Sequence, residues 1–200
     1  MLVVFEGIDG SGKATQIAKL ATHLKLRGRK NVMLAYPDMH GPLGRVIDEL
    51  LQGGLKLPAE SQFYLFLADI ARDQKRLHEA LKANELVVLD RYCFSTIAYQ
   101  TCKGMNGKKA SKLVESAKLA QPDLVILLDI DPKVSSVRKQ AQRQLDAFEM
   151  DVRFQGCVRQ EFRSLAKRKF LAKRWAVIDA MGAPDEVFAQ VRAEIDRLIK

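Results

Sequence analysis

The sequence predicts a doubly wound α/β fold: a parallel five-stranded sheet with helices on both faces, built as one domain over residues 1–200. Three observations carry that expectation. Five apolar runs of strand length recur along the chain. Segments of helical period separate them, and short apolar strands alternating with helices specify a parallel sheet covered on both sides. No repeat, low-complexity tract or Pro/Gly/Ser linker divides the chain.

The elements follow in order. Leu2 to Phe5 is wholly apolar, as a strand buried on both faces must be. Gly12 to Arg27 puts Ile17, Leu20, Ala21 and Leu24 on one helical face. Val32 to Tyr36 is the second strand. Phe63, Phe66, Leu67, Ile70 and Leu77 then share a helical face. Leu86 to Leu89, Leu124 to Leu128 and Trp175 to Ile178 complete the sheet. Ligands of such sheets bind outside the carboxyl ends of the strands, so the residues following each strand are the candidates for a site.

Composition narrows the function classes. A chain of 200 residues suits one domain. It buries roughly 70% of the surface its unfolded form exposes, enough for a core without staples. With 48% hydrophobic and 28% charged residues it is neither disordered nor collagen-like. Its apolar runs, Leu124 to Leu128 among them, are far below the ~20 residues a bilayer demands. The N-terminus meets Glu6 after five apolar residues and lacks a basic n-region, so no signal peptide is expected. The expectation is a cytoplasmic protein with no membrane partner. Cys93, Cys102 and Cys157 are odd in number and widely spaced, which predicts reduced, structural thiols and no zinc site. His23, His40 and His78 are scattered and read as surface or packing residues.

Charge is unevenly spread. The net +9 is concentrated between Lys133 and Arg174, where twelve Lys and Arg face four acids, a local +8. Such a segment suits nucleic acid, an anionic membrane or a phosphorylated small ligand. Few aromatics interleave with it and no helix-turn-helix, RRM or zinc-finger spacing appears, which lowers the nucleic-acid reading.

The first strand runs straight into Gly7-Ile8-Asp9-Gly10-Ser11-Gly12-Lys13-Ala14-Thr15, a G-x-x-x-x-G-K loop opening a helix. Its glycines let successive N–H groups turn around a phosphate, the helix N-terminus adds its positive end, and Lys13 reaches the β and γ oxygens. A nucleoside triphosphate site in a three-layer P-loop NTPase fold is the expectation. Ala14 stands where a Ser or Thr hydroxyl usually ligates magnesium, and Thr15 points about 100° away. Mg²⁺ is therefore expected to rest on phosphates, waters and a carboxylate, with Asp9 and Asp90 as candidates.

Beyond the third strand, Asp90-Arg91-Tyr92-Cys93-Phe94-Ser95-Thr96-Ile97-Ala98-Tyr99-Gln100 places an acid and an arginine fork at a strand end, a setting suited to a phosphate. This segment resembles the D-R-[YFH]-x-x-S-x-x-A-[YF]-Q signature of thymidylate kinases, and Thr15-Gln16 after the phosphate loop is similar to theirs. The likeness continues through Tyr36-Pro37 to Gly44, through Leu65 to Asp69, through Arg143, Asp146, Phe148 and Glu149 in an R-x-x-D-x-F-E lid pattern, and through Trp175 to Ala180.

The resemblance implies phosphate transfer from ATP to dTMP with magnesium in a homodimer packed through helices. It implies that Phe66 stacks on thymine, Arg91 grips the monophosphate, Asp9 approaches the 3′-hydroxyl, Tyr99 crowds the 2′ position, and Tyr36, Ser95 and Gln100 line the pocket. Arg143 would act from a lid spanning about 133–150, in the bacterial arrangement. Periodicity alone reads Phe66 as core beside Phe63 and Ile70. Two positions depart from the family: Asp38 or Met39 stands where an arginine is common, and Ile70 replaces an arginine that bonds the base edge. These leave open a same-family kinase for another deoxynucleoside monophosphate, or a nucleotide-binding regulator. Arg45 could still approach the acceptor phosphate, whereas Arg72 lies roughly 200° from Ile70.

Overall fold

The computed structural model describes residues 1–140 and 152–199. Five strands form one sheet: β1 (Leu2–Glu6), β2 (Asn31–Ala35), β3 (Leu86–Asp90), β4 (Leu124–Asp129) and β5 (Trp175–Asp179). The order is β2-β3-β1-β4-β5 and every neighbouring pair is parallel. Each predicted strand is present, shifted or extended by about one residue. The inner strands β1, β3 and β4 are buried along almost their whole length, while the edges β2 and β5 are only partly covered. Their apolar runs are what a strand with helices above and below requires.

Helices among the described residues are α1 (Lys13–Leu26), α2 (Gly44–Leu51), α3 (Ala59–Arg72), α4 (Gln74–Ala83), α5 (Cys93–Cys102), α6 (Gly107–Ser116), α7 (Pro132–Gln140), α8 (Val152–Lys167) and α9 (Pro184–Leu198). Helix α1 packs on α9, and α5 packs on α3, α6 and α8. Leu20 and Leu24 of α1 are buried, as their spacing predicts. The stretch carrying Phe63 to Leu77 is two helices, because the chain turns at Asp73 before Leu77 enters the core from α4. No described helix is long and apolar enough to cross a membrane.

One expectation about the cysteines is overturned. Cys102 at the end of α5 and Cys157 in α8 form a disulfide, with Cα atoms 5.9 Å apart. They are 55 residues apart in sequence, so nothing local signals the pair; the packing of α5 on α8 creates it. Cys93 is free and buried, as expected.

Four strands end on an acid: Glu6, Asp90, Asp129 and Asp179. Parallel strands carry all four to one edge of the sheet. At β4, Asp129 accepts from Arg159 Nε at 2.6 Å and Nη2 at 3.0 Å and pairs with Arg163, fastening α8 to the sheet. Glu6 and Asp90 flank the candidate site.

Candidate functional site

The phosphate loop is shaped by backbone conformations that side chains resist. Gly7 has φ 147°, Gly10 φ 74° and Gly12 φ 93°. A Cβ on Gly7 would lie 2.6 Å from the Leu128 carbonyl and 2.7 Å from Ser11 Oγ, so only glycine lets the loop leave β1 beside β4. The loop closes with Ser11 N–H donating to Ile8 O at 3.2 Å, and α1 begins with Gln16 N–H donating to Gly12 O at 3.0 Å.

Lys13 is buried, and its Nζ donates to Gly7 O at 3.0 Å and Ile8 O at 3.1 Å. Burial, and then the Arg91 charge, lowers its pKa to about 8 against the pull of Asp9, Asp90 and Glu6. A cation desolvated this far gains when phosphate oxygens arrive. Ala14 and Thr15 are both exposed on the first turn of α1.

Arg91 adjoins this loop from the end of β3. Its φ of 66° is unusual for a residue with a Cβ. Nη1 donates to Gly7 O at 3.3 Å and Ser95 Oγ at 3.1 Å, Nη2 pairs closely with Asp9, and the guanidinium carbon lies 5.3 Å from the Tyr99 ring centre. Burial works against its charge, but Tyr99, Asp9, Asp90 and Glu6 outweigh it and hold the group protonated.

Beside Arg91 opens a pocket of about 170 Å³ lined by Asp9, Tyr36, Pro37, Leu51, Phe66, Ile70, Arg91, Tyr92, Ser95, Thr96, Tyr99, Gln100 and Lys103. The structure brings together here every residue expected to touch the acceptor: Asp9, Tyr36, Phe66, Arg91, Ser95, Tyr99 and Gln100. Phe66 is partly buried and stands outside the core cluster that holds Phe63 and Ile70, so the reading of Phe66 as core from periodicity alone is corrected. Leu51 and Lys103 are lining residues that the sequence did not single out. Lys103 sits just beyond α5, and its Nζ donates to Gln62 Oε1 at 2.5 Å.

An unmatched carboxylate at Asp38 would repel a monophosphate. Instead its carboxylate is matched: Arg72 Nη2 lies 3.0 Å from it and also 3.3 Å from Asp69 and 3.4 Å from Asp73, and Arg76 lies 3.5 Å away. Burial disfavours the Asp38 charge, but the Arg72 hydrogen bond, the His40 N–H and the Arg72 and Arg76 charges outweigh it and hold its pKa low. The Asp38 N–H in turn donates to Asp69 Oδ2 at 2.8 Å. Arg72 thus ties the segment after Tyr36 to α3 and does not line the pocket, while Arg45 is exposed on α2.

A divalent cation is tested by the carboxylates. Among the described residues, Asp90 Oδ1 is buried with no hydrogen-bond partner, the condition of an acceptor suited to a cation or its waters. Asp9 is engaged on one oxygen by Arg91 and on the other by Gln155 Nε2 at 3.4 Å. The pair fits Mg²⁺ held chiefly by phosphates and water, with Asp90 the freer group. Arg143, Asp146, Phe148 and Glu149 lie outside the described residues.

Comparison with known proteins agrees with this geometry. A family model described as thymidylate kinase matches residues 5–191. The chain is 33% identical over 197 residues to a probable thymidylate kinase of Pyrococcus abyssi, covering 96% of this chain and 93% of the relative. It is 34% identical over 217 residues to the thymidylate kinase of Desulfovibrio desulfuricans, covering 100% and 97%. The solved thymidylate kinase of Candida albicans superposes with a TM-score of 0.79 at 25% identity, over 98% of this chain and 91% of that one.

Proposed function

The chain belongs to the thymidylate kinase family, and from that premise we propose that it transfers the γ-phosphate of ATP to dTMP, giving dTDP and ADP, as one domain over residues 1–200. The observation that supports the proposal is the contact of Arg91 with Gly7 O: an arginine that lines the pocket also touches the phosphate loop, as transfer between phosphates held on either side of it requires.

A monophosphate oxygen is already anionic and needs no general base. Transfer forms its bond to the γ-phosphorus as the bridge oxygen to the β-phosphorus leaves with the electron pair on ADP. What the protein supplies is alignment and charge. Gly7 to Thr15 cradle the donor, and Lys13 follows charge on the β and γ oxygens. Arg91 holds the acceptor phosphate while Asp9 orients the guanidinium and meets the 3′-hydroxyl. Phe66 stacks on the base, Tyr99 crowds the 2′ position, and Tyr36, Ser95 and Gln100 complete the wall. Arg143 neutralises the transferring group from the lid over about 133–150, whose closure keeps water from ATP. Asp90, with water and the phosphates, would hold Mg²⁺, Asp9 contributing through water, and the ion would supply charge that offsets that of the phosphates. The assembly is a homodimer docked through helices that include α3, where Tyr64 is 45% exposed. Its location is cytoplasmic, and neither nucleic acid nor membrane is a partner.

The test is direct. Protein, Mg-ATP and dTMP are incubated and the nucleotides separated by chromatography. Equal amounts of ADP and dTDP are expected; ADP released without dTDP overturns the reading.

A further inference from the structure

Glu6 is fully buried at the end of β1, immediately before the phosphate loop, and does not itself line the pocket. Its Oε1 accepts from Tyr92 N–H at 2.9 Å and Ser95 N–H at 3.2 Å, and its Oε2 accepts from the Ser95 hydroxyl at 2.6 Å. Helix α5 has no side-chain cap of its own, so this carboxylate from another element caps it. The direction of the third bond matters more. A hydroxyl that donates to Glu6 turns its lone pairs outward, and Ser95 Oγ accepts from Arg91 Nη1 at 3.1 Å.

We infer that Glu6 is a positioning residue which, through the Ser95 hydroxyl, aims the Arg91 guanidinium at the acceptor phosphate. The inference rests on the acceptor reading above. The Arg91 backbone makes such a device necessary. At φ 66° its side chain leaves the strand from a sparsely populated conformation, and its N–H donates to Phe5 O at 3.0 Å, so the backbone is pinned while the long side chain still needs a direction. Asp9 holds one side of the fork, and Gly7 O with Ser95 Oγ holds the other. Without the Glu6 acceptor, the Ser95 proton is free to turn toward Arg91 and oppose it.

Capping and aiming are separable. Glu6→Gln keeps an Oε1 for the two N–H groups but sets an amide donor against Ser95 Oγ. Ser95→Ala leaves the cap whole and removes the relay. Wild-type protein is first assayed with Mg-ATP and dTMP, so that a wrong acceptor shows before any variant is made. The relay is then read without substrate, by ¹⁵N NMR exchange of the Arg91 guanidinium protons with water, assigned by their loss in Arg91→Lys. In both variants exchange should accelerate about tenfold or more, the loss expected for a hydrogen bond to a charged group. With dTMP turnover, KM for dTMP should rise by a similar factor while KM for ATP stays within about twofold. Arg91 exchange within about twofold of wild type in the Ser95→Ala protein overturns the inference, whatever the acceptor proves to be. So does a KM for ATP that rises as much as that for dTMP.

Discussion

The phosphate loop and the acceptor pocket meet at Arg91, yet they are held in shape by different physics. The loop is a local object: nine consecutive residues, three left-handed glycines, and a lysine bonded to carbonyls five and six residues before it. The pocket is assembled from residues far apart in sequence. Glu6 reaches Ser95 across 89 residues, Arg72 reaches Asp38 across 34, and a disulfide spans 55 between α5 and α8. Chemistry fixed by backbone geometry tolerates change around it. Chemistry fixed by remote side-chain pairs shifts when any partner is altered, and Asp38 and Ile70 both lie in this part of the molecule.

Substitutions sharpen the contrast, and the largest effect is expected in the loop. Lys13→Ala should lower kcat by about 10²- to 10³-fold, as for loss of one preorganised charge, with KM for dTMP nearly unchanged in steady-state assays. Next is Cys102→Ser, which should cost about 2–4 kcal/mol in chemical denaturation by releasing a long closed loop in the unfolded chain. Dithiothreitol-treated wild type should match it. Arg91→Ala follows: KM for dTMP should rise and kcat fall, together about 10- to 100-fold in kcat/KM, with KM for ATP little affected. Unchanged kinetics would remove Arg91 from the acceptor site. Arg72→Gln should cost about 1 kcal/mol of stability, since its partner Asp69 is buried but Arg72 itself remains partly in water. KM for dTMP should rise severalfold as Asp38 beside the pocket is left with only the more distant Arg76.

The smallest effect concerns pH. Burial pushes the Glu6 carboxyl up to about 7, against the opposing pull of Arg91, Ser95, Lys13 and Tyr92. Because the folded state holds this proton more tightly than the unfolded chain, Glu6 favours folding most below its ordinary pKa. That contribution is lost as pH rises toward about 7. Function runs the other way, since a protonated Glu6 no longer orients Ser95 as a carboxylate does. KM for dTMP should therefore rise as pH falls below about 7, more steeply in wild type than in Glu6→Gln, where the substrate phosphates still titrate but position 6 does not. Equal slopes would separate Glu6 from the acceptor site.

Legibility in the sequence follows the same division. All five strands and α1 were readable because a buried parallel strand must be apolar throughout and a surface helix must repeat every three to four residues. The phosphate loop was readable because its glycines and lysine are contiguous. The pocket-lining residues from Asp9 to Gln100 were named through resemblance, and periodicity alone misassigned Phe66, since a face that lines a pocket and a core face carry the same apolar spacing. The disulfide, the pairing of Asp38 by Arg72 and Arg76, and the placement of Lys103 depend on how helices pack, which no local pattern encodes. Glu6 did leave a trace: a charged residue ending a wholly apolar strand must find partners inside the fold.

The claim that this pocket is built for thymidylate is tested most directly by kcat/KM with Mg-ATP for dTMP, dUMP, dCMP, dGMP and dAMP, measured side by side by coupled ADP release. The account predicts that dTMP leads every alternative by about tenfold or more, with Phe66, Thr96, Gln100 and Lys103 forming a wall that accepts a pyrimidine without an arginine at position 70. Any other monophosphate in the lead, or no turnover with any of the five, would contradict it.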